Sequence, residues 1–350
     1  MFRSLSFLLP ALLLGGALLA QAEEPTSAND PVLASRLKQY PQADTNQDGV
    51  LTQFEAKTFY RNVLLPKLRI QRQPTHADVS YGPHPRQVFD LYLAKSERPT
   101  PLVIYLHGGG FVGGDKRTVN GEVVDLLHAA GISVAAIHYR LVGGDVQFPA
   151  PQHDAARAVQ TLRHQAEKWN LDPQRFAAYG SSAGAGISMW LGFHDDLAQP
   201  DSDDPIARQS TRLLAVGSVG GQSSYDPHVI RDWIGGRAWE HPSVLKVYGA
   251  SQLSDLDDPK LQPLYDEVSA IQHVSQDDPP ILMFYSEPDQ PLPADARPGE
   301  GIHHPIFGHK LKAAMTRAGV EAQNYHQTNA GGPLSRLLAE FMIKNLNAPR

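Results

Sequence analysis

The fold is decided by residues 175–186, which read RFAAYGSSAGAG. The first half is a short apolar run and the second half consists of small residues, so the stretch predicts a buried strand, a tight turn and a helix. The turn carries the pattern Gly180-x-Ser182-x-Gly184. Flanking glycines relieve the crowding at a sharp bend, which predicts an exposed Ser182 hydroxyl at a helix N-terminus, where developing negative charge is favoured. Ser181 is the neighbouring alternative, but Ser182 stands at the centre of the motif.

A second glycine-rich segment lies about 75 residues upstream, where residues 106–111 read LHGGGF. Glycines allow backbone N–H groups to turn toward a carbonyl oxygen without obstruction by side chains. Gly109 or Gly110 is therefore expected to supply one oxyanion donor, and Ala183, the residue after Ser182, to supply the other. The segment lacks the Gly-Lys-Ser/Thr ending of a phosphate-binding loop, which argues against a nucleotide site.

Short β-rich runs alternate with amphipathic helical stretches from residue 88 onward. This alternation, with solid apolar runs such as PLVIYL at residues 101–106, predicts an α/β fold with a mostly parallel sheet covered by helices on both faces. The expected strands are 88–93, 102–106, 133–138, 176–179, 213–219, 281–285 and 322–327. The expected helices are 119–130, 155–169, 183–194, 306–318 and 334–346. Residues 222–278 break the rhythm and are expected to form a cap-like insertion that shapes a substrate pocket.

From about residue 79 onward the chain resembles α/β-hydrolase esterases, near the hormone-sensitive-lipase-like and the feruloyl and acetyl-xylan esterase-like groups. The motifs that carry the resemblance are HGGGFVGGDK at 107–116, HYRL at 138–141, FPAPQHDAARAV at 148–159 and DPQRFAAYGSSAGA at 172–185. The resemblance implies an α/β-hydrolase domain over residues 71–350 and a serine carboxylesterase that forms an acyl-serine intermediate. It also implies a small-molecule or carbohydrate-linked ester as the substrate.

The order of catalytic residues in this family is serine, acid, histidine. The acid is expected just after the strand predicted at residues 281–285, where Asp289 is the preferred candidate and Glu287 and Asp295 are alternatives.

The histidine is where this sequence departs from the family pattern. No histidine follows the last predicted strand, and Gly332 stands about where one is expected. His304 is the preferred base, because it precedes Pro305 at a predicted helix start, and the positive end of a helix lowers the pKa of an imidazole and keeps it neutral. The alternative positions are His303, His309 and His326.

Residues 44–55 read DTNQDGVLTQFE and match the twelve-position EF-hand loop. Gly49 stands at the sixth position, where the loop turns sharply, and helical spacing flanks the loop on both sides. The predicted Ca²⁺ ligands are Asp44, Asn46, Asp48, Val50 through its carbonyl, Thr52 and Glu55. The pattern resembles a single EF-hand module over residues 23–70, with Ca²⁺ in a structural role. EF-hands usually pair and the sequence has no second loop, which permits a homodimer without requiring one.

The N-terminus has the features of a secretory signal peptide over residues 1–22. Arg3 supplies a positive charge, an apolar run covers residues 5–20, and Ala20-Gln21-Ala22 is a cleavage site of the small-x-small type. We therefore expect a periplasmic or secreted protein with no membrane span after signal cleavage.

Composition narrows the classes of function. The chain has 350 residues with 31 basic and 37 acidic side chains, so its net charge is −6. This acidic balance lacks the excess of positive charge that is typical of nucleic-acid-binding proteins. The absence of cysteine excludes a disulfide scaffold, a thiolate zinc site and a cysteine nucleophile. A second hypothesis is a calcium-dependent binding or assembly protein on a catalytically impaired hydrolase scaffold, because no histidine follows the last predicted strand and an EF-hand loop precedes the domain. A peptidase of the same fold is a third, which no residue specifically favours.

Overall fold

The computed structural model describes residues 26–348, so the predicted signal peptide lies outside the described residues. The chain divides between Lys67 and Leu68 into two compact units. Among residues 26–348, no helix combines the length and the apolar character that crossing a bilayer requires.

The first unit is a small helical module. Its helices are α1 (Pro31–Gln39) and α2 (Gln53–Phe59), separated by a 3₁₀ turn at Pro41–Ala43 and the loop predicted to bind calcium; a π-helical turn at Tyr60–Leu64 and the short α3 (Leu65–Leu68) lead into the second unit. The start of α2 is capped reciprocally by the side chains of Thr52 and Glu55. The apolar core of this unit consists of Leu33, Ala43, Leu51, Ala56 and Phe59.

An eight-stranded sheet forms the centre of the second unit. Its strands are β1 (His76–Ser80), β2 (Val88–Tyr92), β3 (Thr100–Leu106), β4 (Ser133–Ile137), β5 (Leu171–Ser181), β6 (Val216–Val219), β7 (Ile281–Tyr285) and β8 (Ala322–His326). Their order across the sheet is β1-β2-β4-β3-β5-β6-β7-β8. β2 pairs antiparallel with both of its neighbours and the remaining pairs are parallel, which confirms the predicted mostly parallel sheet.

Helices cover both faces of this sheet. They are α4 (Gly121–Ala129), α5 (Ala150–His164), α6 (Ala183–Phe193), α7 (Pro227–Ile234), α8 (Pro242–Tyr248), α9 (Gln262–Val268), α10 (Ile306–Ala318) and α11 (Leu334–Leu346). One apolar core lies between the sheet and the face formed by α5, α6 and α10, and the other lies beneath α4 and α11. Burial on both faces explains why β3 is apolar along its whole length.

The candidate site lies at one edge of the sheet. The parallel strands β3, β5, β6 and β7 all end there, because parallel strands point in the same direction, and ligands bind at the carboxyl edge of such sheets. The segment between β6 and β7, predicted as a cap-like insertion, contains α7, α8 and α9.

Candidate active site and candidate calcium loop

Ser182 occupies the turn between β5 and α6 in a strained backbone conformation. Its φ is 52° and its ψ is −121°, a region that non-glycine residues seldom adopt. The conformation is held from the neighbouring strand, because the Ser182 N–H donates to the carbonyl oxygen of Val219 at 2.8 Å. The half-buried side chain stands at the N-terminus of α6, as the sequence predicts.

The two glycines of the motif have no space for a side chain. A Cβ atom on Gly180 would lie 2.3 Å from the carbonyl group of Gly184, and a Cβ atom on Gly184 would lie 2.1 Å from the Leu106 oxygen. Both contacts are with backbone, which a rotamer change does not relieve. The glycines therefore allow the first turn of α6 to pack directly against the ends of β3 and β5.

A histidine contacts Ser182, and an acid contacts that histidine. His303 Nε2 lies 2.8 Å from Ser182 Oγ. On the other side of the ring, His303 Nδ1 lies 3.3 Å from Glu287 Oε1, and the same oxygen accepts the main-chain N–H of His303 at 3.2 Å. A carboxylate only accepts, so Nδ1 carries the proton and Nε2 presents its lone pair to the serine hydroxyl. This arrangement is suited to removing the hydroxyl proton.

The His303 side chain packs against Gly220. This glycine follows β6 with a φ of +60°, and a Cβ atom there would lie 3.4 Å from three atoms of the His303 side chain. Its N–H donates to the carbonyl oxygen of Phe284 in β7, which joins the ends of the two strands. The His303 ring therefore stands over the end of β6, between the strand that precedes Ser182 and the strand that precedes Glu287.

The assignment of His304 as the base is wrong in this structure. The His304 ring is buried with 6% exposure, its Nε2 lies 2.9 Å from the carbonyl oxygen of Gln290, and its Nδ1 accepts the N–H of Ile306 at 3.1 Å. Both ring nitrogens are occupied at the start of α10, so His304 caps that helix. The preceding residue, His303, points toward the serine instead.

The preferred acid is corrected in the same way. Asp289 Oδ2 lies 2.8 Å from Nε2 of His309, and both side chains are about half exposed. Asp295 is exposed. Glu287, two residues beyond β7, contacts the histidine that faces Ser182.

His326, at the end of β8, supports the acid without contacting the serine. Its Nε2 lies 2.9 Å from the main-chain oxygen of Glu287, and its Nδ1 lies 2.7 Å from the hydroxyl of Thr328. Because a carbonyl oxygen only accepts, Nε2 donates, and the contact fixes the loop that carries the Glu287 carboxylate.

The predicted oxyanion segment turns sharply at the end of β3. Gly109, Gly110 and Phe111 have φ values of +126°, +58° and +63°. A Cβ atom on Gly109 would lie 2.3 Å from the Gly113 oxygen, so the turn closes only around a glycine. Gly110 and Ala183 line the same cavity as Ser182. Ala183 begins α6, and its N–H has no intrahelical acceptor.

A cluster of buried and partly buried basic side chains packs against this segment. His107 is fully buried, and Arg86 Nη2 contacts its Nε2 at 3.0 Å and the Nδ1 of His138 at 2.9 Å. The hydroxyl of Tyr139 donates to the His107 carbonyl oxygen at 2.7 Å. Burial lowers the pKa of His107 to about 4, and burial together with the Arg86 charge lowers the pKa of His138 to about 2. Both rings are therefore neutral near pH 7 and accept from the guanidinium.

The cavity beside Ser182 is apolar and is covered by the segment between β6 and β7. It holds about 510 Å³ of empty space, part of it open to solvent. Helices α7 and α8 contribute most of the cover, and Phe111 closes another side. The lining residues from the cover are Gln222, Tyr225, Ile230, Ala238, His241, Ser243, Val244, Val247 and Tyr248. The Tyr248 hydroxyl donates to the main-chain oxygen of Tyr225 at 2.8 Å, which fixes these two lining residues relative to each other.

In the first unit, the loop predicted to bind calcium gathers its acidic groups around a tight turn. Asp44 Oδ2 accepts the Gly49 N–H at 2.9 Å, whereas Asp44 Oδ1 is buried and has no hydrogen-bond partner among the described residues. Asp48 accepts from the Asn46 side-chain amide at 2.8 Å and from the Val50 N–H at 2.8 Å. An unpartnered buried carboxylate oxygen beside further oxygen donors fits a hard cation such as Ca²⁺.

The carboxylate of Glu55 is held at the closing position of this loop. It accepts from the backbone N–H and the hydroxyl of both Thr45 and Thr52, at distances between 2.8 and 3.1 Å. These bonds, that of the Thr52 backbone first, lower the pKa of Glu55 to about 2. The group is therefore ionised at neutral pH, as a calcium ligand must be.

The loop edge that would face a second EF-hand is paired within the chain. Leu51 donates its N–H to the Ser27 hydroxyl at 2.8 Å and accepts the Ser27 N–H at 2.8 Å, and Thr26 forms a bridge with Thr52. The backbone groups of Leu51 are satisfied by the N-terminal segment of the same unit. A second copy of the module is not needed to satisfy them.

Comparisons with known proteins agree with this fold. A family model described as BD-FAE matches residues 89–297. Carboxylesterase NlhH of Mycobacterium tuberculosis is 33% identical over 196 residues, which cover 53% of this chain and 58% of that protein. Esterase LipC of the same organism is 26% identical over 237 residues, which cover 65% of this chain and 54% of that protein. The chain thus spans a little over half the length of these curated relatives.

Among solved structures, the acetyl ester-xyloside bifunctional hydrolase from Caldicellulosiruptor lactoaceticus superposes with a TM-score of 0.59 at 20% identity. The match covers 77% of this chain and 97% of that one. At this identity the likeness shows a shared fold.

Proposed function

This chain belongs to the BD-FAE family of α/β-hydrolases, and we propose that it is a serine carboxylesterase that works through an acyl-serine intermediate. The observation that carries the proposal is the 2.8 Å contact between Ser182 Oγ and His303 Nε2 at a strained strand-to-helix turn. Strain of this kind persists where the surrounding structure enforces it, and it clusters at active sites.

In the proposed acylation step, Ser182 Oγ attacks the carbonyl carbon of the ester while His303 Nε2 takes the hydroxyl proton. The carbonyl oxygen becomes an oxyanion, which the N–H groups of Ala183 and Gly110 stabilise, each by about 3 kcal/mol in sites of this type. The tetrahedral intermediate then breaks its bond to the alcohol oxygen, and His303 returns the proton to the leaving alcohol.

Deacylation repeats the same chemistry with water. His303 removes a proton from a water molecule, which attacks the acyl-serine carbonyl, and the second tetrahedral intermediate releases the carboxylic acid and restores the Ser182 hydroxyl. The Glu287 carboxylate holds the Nδ1–H tautomer and stabilises the imidazolium that forms in each step.

The proposed substrate is a small-molecule or carbohydrate-linked ester with a short acyl group. The apolar cavity beside Ser182, which the bulky Tyr225 and Tyr248 side chains help to line, supports this choice. The names of the relatives point in the same direction, since one is a carboxylesterase and one solved neighbour is an acetyl ester-xyloside hydrolase.

The second hypothesis, a binding protein on an impaired scaffold, depended on the EF-hand together with the absence of a base. His303 contacts the serine hydroxyl, so the second of these reasons no longer applies. The calcium loop, the other support for this hypothesis, is equally compatible with the esterase.

Two further features belong to the proposal. Ca²⁺ would be held by the side chains of Asp44, Asn46, Asp48, Thr52 and Glu55 and by the carbonyl of Val50, and it would supply structural stability to the first unit. The unpartnered oxygen of Asp44 supports this site. Export rests on the sequence of residues 1–22, and mass spectrometry of the protein purified from its native host tests it, because cleavage leaves a chain that begins at Glu23.

The proposed reaction is tested by hydrolysis of p-nitrophenyl acetate, butyrate and decanoate. We expect the first two to be hydrolysed and the third to react poorly. Ser182→Ala and His303→Gln should abolish most of the activity, whereas His309→Gln, a substitution of the same type in the adjacent helix, should leave it intact. Equal activity of the wild type and Ser182→Ala would remove the esterase hypothesis.

A further inference from the structure

Three side chains with metal-ligating groups meet away from the candidate active site. His194 ends α6, Glu267 lies in α9, and His273 ends a 3₁₀ turn at Ala270–His273 that precedes β7. One ligand atom from each residue lies within 4.8 Å of the others. The three are partly buried, and none takes part in the proposed hydrolysis.

The tautomer of His194 leaves a lone pair that faces the carboxylate. His194 Nδ1 lies 2.9 Å from the carbonyl oxygen of Asp195, which only accepts, so the proton is on Nδ1 and Nε2 is unprotonated in the neutral ring. That nitrogen lies 3.4 Å from Glu267 Oε1. Two lone pairs at this separation repel each other unless a proton or a metal cation lies between them. The distance is close to the separation of about 3.3 Å that two zinc ligands have at tetrahedral angles and bond lengths near 2.0–2.1 Å.

His273 is oriented by a backbone carbonyl in the same manner. Its Nε2 lies 2.8 Å from the main-chain oxygen of Glu267 and donates to it, which leaves Nδ1 with a lone pair. The two histidine rings lie 4.7 Å apart between centroids, and Trp190 packs against His194 at 4.4 Å. The indole N–H of Trp190 also donates to the Glu267 carbonyl oxygen at 2.8 Å, which fixes the end of α9.

The hydrogen bonds that His194 and His273 donate to backbone carbonyls are typical of metal-binding histidines. A ligating histidine usually donates its second ring nitrogen to a carbonyl or a carboxylate, which fixes the ring and makes the ligating nitrogen more basic. Two imidazoles and one carboxylate suit Zn²⁺, whereas Ca²⁺ and Mg²⁺ prefer sites made of oxygen.

We propose that His194, Glu267 and His273 bind one Zn²⁺ ion, with water in the fourth position. The ion would join the end of α6, the helix that follows Ser182, to the segment between β6 and β7 that covers the substrate cavity. Its role would be structural, because it would hold this cover in place. Zinc binding would then be a property of the protein that is separate from ester hydrolysis.

The test is a titration of the untagged full-length protein with ZnCl₂ in the presence of excess Ca²⁺, which occupies the loop at residues 44–55. The variants are Glu267→Gln and the double variant His194→Gln/His273→Gln, and His164→Gln, an exposed histidine in α5, is the matched control. Circular dichroism establishes that each variant is folded.

We expect one Zn²⁺ per chain in the wild type and in His164→Gln, with a melting temperature that rises on addition of the ion. Affinity should fall at least tenfold in Glu267→Gln and in the double variant, and the rise should disappear. Co²⁺ should give the visible absorption of a tetrahedral site only where the three side chains are intact. Failure of the wild type to bind Zn²⁺, or equal binding by the double variant, would overturn the proposal. Either outcome leaves the hydrolysis assay unaffected, so the two proposals fail independently.

Discussion

The carboxylate of Glu287 contacts His303 at two points. Its Oε1 lies 3.3 Å from the ring Nδ1 and accepts the main-chain N–H of the same residue at 3.2 Å. One acidic oxygen therefore orients both the ring and the backbone of the residue that faces Ser182. The contact explains how a histidine from a loop before α10 reaches a position that the family pattern gives to a residue after the last strand.

Replacing Glu287 with glutamine should reduce kcat by about 10²- to 10⁴-fold, with a smaller effect on KM. The amide has the same size as the acid, but it lacks the charge that stabilises the imidazolium. Steady-state kinetics with p-nitrophenyl butyrate measures the effect. Asp289→Asn is the matched control and should retain the wild-type rate, because Asp289 contacts His309. A large loss in the control with full activity in Glu287→Gln would restore Asp289 as the acid.

Substitution of His304 should affect stability more than catalysis. In His304→Ala the Gln290 carbonyl and the Ile306 N–H lose the partner that the buried ring supplies, and the free energy of unfolding should fall by about 1–3 kcal/mol. Urea denaturation gives the stability, and kcat at a temperature where the variant is folded should lie close to that of the wild type. An inactive variant of normal stability would show that His304 takes part in the reaction.

The histidines that pack against the oxyanion segment, His107 (buried) and His138 (partly buried), predict a loss of stability in mild acid. In the unfolded chain His107 and His138 have pKa values near 6.5, whereas the folded protein lowers them to about 4 and about 2. The unfolded state therefore binds protons that the native state excludes. Stability is complete above about pH 6.5 and falls as the pH approaches 4, by up to about 1.4 kcal/mol per pH unit for each histidine.

The contribution of His138 to this slope can be isolated. In His138→Asn the side-chain oxygen still accepts from Arg86, but the residue no longer titrates. Urea unfolding between pH 7 and pH 5 should give a shallower dependence on pH in this variant than in the wild type. Identical slopes would mean that His138 is not held neutral by the cluster.

Removal of Ca²⁺ should destabilise the first unit and leave the ester chemistry intact, because the contacts among Ser182, His303 and Glu287 lie within residues 68–348. We expect a chelator to lower the temperature of one thermal transition, and Glu55→Gln to show the lower temperature even with Ca²⁺ present. Glu97→Gln changes the charge equally at an exposed position and should behave as the wild type. Calorimetry that detects no Ca²⁺ binding by the wild type would remove the site.

Much of the sheet and its helices can be predicted from the sequence, because burial on both faces leaves strong apolar runs. β7, α10 and α11 have the predicted bounds. β1 is not predicted, because it lies at the sheet edge and most of its side chains are exposed, which removes the alternation that identifies a strand. Helix α5 begins at Ala150, five residues before the prediction, since Pro151 is compatible with a first helical turn.

The candidate site likewise has a part that the sequence predicts and a part that it does not. Ser182 and the glycines stand at element ends that periodicity and turn residues identify. The choice between His303 and His304 depends on the path of a loop of about twenty residues, between the end of β7 and α10, for which the sequence carries no periodic signal. The sequence places His304 at the start of a helix, and in the structure its ring does accept the N–H of the first residue of α10. A helix cap, however, uses the ring nitrogens that a catalytic base needs free.

The most direct test of the account is covalent labelling of the serine with a fluorophosphonate, followed by peptide mass spectrometry. We predict that the wild type carries one phosphonyl group on Ser182, that His309→Gln is labelled at the same rate, and that His303→Gln is labelled at least a hundredfold more slowly. Modification of Ser181 in place of Ser182, or an undiminished rate in His303→Gln, would contradict the account.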